Sequence, residues 1–234
     1  MTPVAELVLT REEILRHAQA LPAAPQVLGG LCELLEDVNT DLEQICDEIR
    51  RDPALAARVI RLGNSVAFGG GGGVSSIDGA VNRVGFAEIV RLGGVATVSG
   101  LVDRSLGAYG VDAERLRESL LLHALASEAL AARAGLDARA AYAAGLLRGI
   151  GMMVLDRASR GRVAYDPAGF TTFSEWEEIC FNVRAAAVTT AVLDEWRFPA
   201  DTVAALEQHL EPADSPLAYV LNLAGSIVAA HGLA

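Results

Sequence analysis

The sequence predicts an all-α fold, and three observations carry that expectation. Helix-capping signals recur along the chain, apolar residues return at three-to-four spacing behind them, and the composition lacks the β-branched and aromatic alternation of a sheet protein. The 234 residues are 52 % hydrophobic but only 5 % aromatic. That is enough apolar material for a core in one large domain or two small ones.

The first helix is expected over residues 11–20, opened by Thr10-x-x-Glu13. In such a capping box the hydroxyl and the carboxylate satisfy amides that a helix start leaves without partners. A second helix is expected at 24–37, and Thr40-x-x-Glu43 marks a third at 41–50. Asp52-Pro53 opens 53–64, with proline at the first helical position, where its missing N–H costs nothing. Ile45 and Ile49, then Leu55, Val59 and Ile60, supply the apolar period. The stretch Phe68 to Asp78, FGGGGGVSSID, lacks the lysine and the preceding strand of a phosphate-cradling loop. It reads as a surface loop that ends in a Ser76 or Asp78 N-cap. Helices follow at 77–83 and 86–102, and then at 113–134, 138–147, 150–158, 184–196, 200–209 and 215–231. Ser174-x-x-Glu177 is a further capping box, and the Gly107–Asp112 connection divides the chain into 1–110 and 111–234.

The formal charge is −11 and all 19 basic residues are arginine, which argues against a nucleic acid or an anionic membrane as the main partner. Cys32, Cys46 and Cys180 are scattered, without CxxC spacing, and read as reduced core residues. The apolar stretch Leu217 to Ala230 is too short to span a bilayer, and Arg91 interrupts the other candidate, Phe86 to Val102. Glu6 and Arg11 break the pattern of a secretory signal, so a cytoplasmic location is expected.

Candidate chemistry is sparse. No G-x-S-x-G is present, and Cys180 sits in EEICFNV with no adjacent base to lower its pKa. Trp176 and Trp196 read as packing residues. Of the four histidines, His17 and His231 lie in ordinary amphipathic surroundings and His209 sits at a helix end, where the dipole favours it. His123 lies on the apolar stripe LLLHALA, as a buried core histidine or a ligand. The helix that would supply carboxylates to a metal ends in Arg148-Gly149, and a guanidinium repels a divalent cation.

Several segments together resemble the HDOD family, the HD-related output domain. They are LPAAPQVL (21–28), RDPALAARVIRLGNSVAFG (51–69) and VSSIDGAVNRVG (74–85), followed by LLLHALASEALAARAG, AAGLLRGIGMMVLD and AVLDEWRFPADTVAALEQHL in the family's order. The resemblance implies an N-terminal helical bundle packed on an HD-like helical subdomain. HD phosphohydrolases hold metal ions with a histidine, a His-Asp pair and a later aspartate. By that resemblance the first histidine is His123, the pair falls on Arg148-Gly149 and the later aspartate on Gly225, while Ala185 stands where many members carry another histidine.

The implied function is therefore that of a non-catalytic signalling module, with no metal and no cofactor, acting through a signalling protein partner or a small ligand in a bacterial regulatory pathway. A vestigial pocket of His123, Arg148, Arg184 and His209 is a candidate site for a small anion or nucleotide, since arginine recognises phosphate with a planar fork of donors. In the structural alternative, Arg148 fills the former metal space with an ion pair to Glu118, Glu128 or Asp156. Residual phosphohydrolase activity is the remaining possibility.

Overall fold

The computed structural model describes residues 7–21, 30–31, 34, 40–68 and 73–232. Among them every regular element is helical, and the nearest approach to a strand is an isolated bridge between Leu106 and Val111. Of the helix expected at 24–37 only Gly30, Leu31 and Leu34 are described, and all three are helical; Cys32 and the glycines 69–72 lie outside the described residues. The all-α expectation holds. No single described helix is long and apolar enough to cross a membrane.

The chain divides into two compact units, Pro25–Thr97 and, as the other, Met1–Ala24 with Val98–Ala234. The division falls elsewhere than at 110/111, because it lies inside a helix that runs without a break, Phe86–Leu101. That helix runs through Gly93, Gly94 and Gly100 without a break, so its glycines do not mark the boundary.

In Pro25–Thr97 the helices are α2 (Leu42–Arg50), α3 (Pro53–Gly63), α4 (Ile77–Val84) and the start of α5 (Phe86–Leu101). The side chain of Asp41, and not Thr40, caps α2. It accepts from the Gln44 amide while Gln44 reaches back to the Asp41 amide, both at 2.9 Å. Thr40 instead donates its hydroxyl to the Leu34 carbonyl. Asp52 accepts from the Leu55 amide at 3.0 Å, and Ser76 caps α4 through the Gly79 amide. Ile45, Ile49, Leu55, Val59, Val81 and Ile89 make the core of this unit. Asn64 gives the RLGNS motif its purpose, bonding both the amide and the carbonyl of Val74 at 2.7 Å and so holding the far end of the glycine-rich loop.

The other unit contains α1 (Arg11–Gln19), α6 (Ala113–Ala134), α7 (Ala138–Leu147), α8 (Ile150–Ser159), α9 (Phe173–Phe181), α10 (Ala185–Glu195), α11 (Ala200–Gln208) and α12 (Pro216–Ala230). The Thr10–Glu13 capping box is present on α1, which packs on α8 and α10. Helix α6 lies against α7 and α12, α8 against α10, and α11 joins α10 to α12. Helix α9 was absent from the expected helices, and its cap is Thr172 accepting from Glu175, not Ser174 with Glu177. Trp176 of this helix is buried in edge-on contact with Tyr109, Tyr165 and Phe181, a packing role as expected. Cys46 and Cys180 are buried and reduced, with burial raising both thiol pKa values.

Candidate functional site

The residues singled out in the sequence come from four separate elements. His123 is on the buried face of α6, Arg148 follows the last turn of α7, Arg184 is the N-cap of α10, and His209 follows α11. Arg148, Arg184 and His209 line one cleft of about 680 Å³, with Met152, Phe173, Ile179 and Leu210 among its apolar walls. His123 is not on the cleft surface. It is 1 % exposed and donates from Nε2 to the Leu221 carbonyl at 3.2 Å.

His123 is held neutral. Burial first, and then the Arg148 charge, lower its pKa from 6.5 to about 3. Its ring touches the position of Gly225, where a Cβ would lie 3.2 Å from Cε1 and 3.4 Å from Nε2. His209 is likewise depressed by burial, and its Nδ1 donates to the Leu206 carbonyl at 2.6 Å. Arg148 is partly buried, with its Nε sealed from solvent and unpartnered. Burial alone lowers its pKa, to about 10, so it stays cationic and no carboxylate compensates it among the described residues.

The ion pairs anticipated for Arg148 are thus not formed. Asp156 instead accepts from Arg104 and from the Ala108 amide, each at 2.8 Å. Arg184 is engaged, with its Nε 2.8 Å from Glu178 and its other arm 3.9 Å from Glu211. Four buried side-chain polar atoms lack a partner among the described residues, and three of them are His123 Nδ1, Ser127 Oγ and Arg148 Nε. Buried polar groups are nearly always paired. Such orphans therefore mark this corner of the unit as one not arranged for stability alone.

The donor set does not fit a metal ion of the HD type. One imidazole already donates from Nε2, the position of the pair holds a guanidinium and a glycine, and the later carboxylate position is Gly225. At Gly149 a Cβ would meet Leu120 Cδ2 at 2.9 Å, so packing has closed over the space an aspartate would need. Among the described residues no group of three or more His, Cys, Asp or Glu converges as a metal site.

Glu177, expected to belong to a helix cap, is buried at the back of the cleft. It accepts from the Tyr109 hydroxyl and from the Ala185 amide, both at 2.8 Å, which ties α9 to the start of α10. Burial raises its pKa and those two hydrogen bonds oppose the shift. The signal for this role was its spacing, since Trp176, Glu177, Cys180 and Phe181 form one helical stripe and all four are buried. Glu177→Ala is expected to cost about 3 kcal/mol by orphaning two buried donors. Glu177→Gln, which keeps an acceptor, is expected to lose less than half of that in urea unfolding.

A model of the HDOD domain family matches residues 21–212. Among solved structures, a candidate phosphohydrolase from Shewanella amazonensis SB2B is 23 % identical with a TM-score of 0.68, over 94 % of this chain and 81 % of that one. An HDOD domain protein of unknown function from Geobacter sulfurreducens is 21 % identical with a TM-score of 0.62, over 96 % and 80 %. A candidate signal transduction protein from Marinobacter aquaeolei VT8 is 20 % identical with a TM-score of 0.68, over 96 % of this chain and 56 % of that one. At these identities the likeness is one of fold. No curated protein matches the chain.

Proposed function

Since the chain belongs to the HDOD domain family, we propose that it is a non-catalytic signal-transduction module, which acts in the cytoplasm by binding a signalling protein partner or a small ligand in a bacterial regulatory pathway. The observation that carries this reading is the polar centre of the unit: Arg148, Gly149 and Gly225 occupy the positions where the family resemblance expects metal ligands. A fixed cation beside a neutral His123 leaves nothing to gather a metal or to activate water on a phosphate ester. Protein purified without chelator is expected to carry no stoichiometric transition metal and to hydrolyse no phosphodiester with added manganese. Stoichiometric metal together with turnover overturns the reading.

A second reading is favoured by one observation. Arg148 lines the cleft with its charge uncompensated, and its Nε has no partner. An anion received in the cleft would offset the charge of the guanidinium. On this reading the cleft is the sensing site, and Arg184 shapes its rim through Glu178 instead of meeting the ligand.

A further inference from the structure

The class of that ligand follows from how the charges of the cleft are already matched, and the inference rests on the reading that the cleft receives an anion. We propose that the cleft takes an amphiphile bearing one anionic group, a carboxylate or a phosphate monoester, with its head on Arg148 and its hydrocarbon body along Met152, Phe173, Ile179 and Leu210. Of the two cationic side chains on the cleft, Arg184 is matched by Glu178 and Glu211, so Arg148 is left to face a ligand.

The rim sets the upper limit on charge. Glu175, Glu178 and Glu211 line the cleft as well, so a ligand bearing three or four negative charges meets carboxylates wherever it extends beyond Arg148. The walls set the other half of the chemistry. Ile179 and Leu210 are 47 % and 49 % exposed on this rim, an apolar lip that a hydrocarbon body would cover. Helix α10 also presents a donor on the cleft, since its N-cap Arg184 makes no side-chain cap and the amide of Ala186 has no partner among the described residues.

Calorimetric titration of the full chain with octyl phosphate, octanoate, octanol, inorganic phosphate and ATP tests this. Octyl phosphate and octanoate are expected to bind at least about tenfold more tightly than inorganic phosphate, ATP or octanol. Arg148→Met, which removes an uncompensated cation and is expected to fold, lowers both affinities about tenfold, and Leu210→Gln weakens the octyl compounds alone. If ATP or inorganic phosphate matches octyl phosphate, the site is an anion site and the amphiphile class is wrong. If octanol matches octanoate, or Arg148→Met binds as the wild type does, the head-group assignment is wrong. Silence with all five ligands removes the anion reading itself.

Discussion

Gly151→Ala is expected to destabilise the protein by about 3 kcal/mol or more, lowering its melting temperature by roughly 6–12 °C. The first turn of α8 crosses α10 so closely that a Cβ at this position would lie 1.9 Å from the Ala185 carbonyl oxygen and 2.7 Å from its carbon. Both are backbone atoms, so no side-chain rotation relieves the clash and one helix must move. The same crossing carries a short polar relay: the Gly151 amide donates to Thr189 Oγ1 at 3.0 Å, and that hydroxyl lies 3.0 Å from the Ala185 carbonyl. Ala185 also holds Glu177 through its amide, so displacement of α10 reaches the back of the cleft. Gly107→Ala is the control, because nothing lies within 4 Å of its Cβ position. Its cost is expected to stay within about 0.5 kcal/mol. Equal losses in the two variants, measured by urea unfolding, would refute the close-crossing account.

Gly151 also shows what was legible in the sequence and what was not. The segment AGLLRGIGMMVLD announces two helices broken at Arg148-Gly149, and the structure has α7 and α8 there. That the second glycine accommodates another chain segment is a property of α10, whose approach no local spacing encodes. Helix starts were read well where one capping pair existed, as at Thr10 and Asp52, and slipped where two overlapped. Thr40–Glu43 competes with Asp41–Gln44, and Ser174–Glu177 with Thr172–Glu175; in the second case the apolar stripe draws Glu177 inward and settles the register. At the site, the resemblance led to His123 and Arg148, of which Arg148 lines the cleft and His123 is buried off its surface. Arg184 and His209, expected beside them, line the cleft too, and Arg184 is engaged by Glu178, six residues before it, and by Glu211 from beyond α11. The pairing with Glu211 is tertiary, and no local spacing encodes it.

Acidification below pH 6.5 is expected to weaken the fold, because His123 is buried as the neutral imidazole, with its one ring proton on Nε2. Its folded pKa is about 3, against 6.5 for an exposed imidazole. Above pH 6.5 both folded and unfolded chains leave the ring neutral and it contributes nothing. As the pH falls below 6.5 the unfolded chain binds a proton that the folded chain refuses, so stability drops by about 1.4 kcal/mol per pH unit until the folded pKa is reached. At pH 5 the loss from this one residue is about 2 kcal/mol. His209, depressed in the same direction by burial, steepens the fall. His123→Gln keeps a donor for the Leu221 carbonyl but cannot titrate. The stability of the wild type minus that of this variant is therefore expected to decline by about 2 kcal/mol between pH 7 and 5. A difference that stays flat across that window contradicts the buried neutral imidazole. Arg148 is the second cause of the depression, after burial. Arg148→Met should accordingly raise the folded pKa of His123 and extend the loss over a narrower pH range, which imidazole nitrogen shifts read directly. That shift would place the uncompensated guanidinium and the neutral ring in one electrostatic unit, so an anion seated on Arg148 should also make His123 easier to protonate.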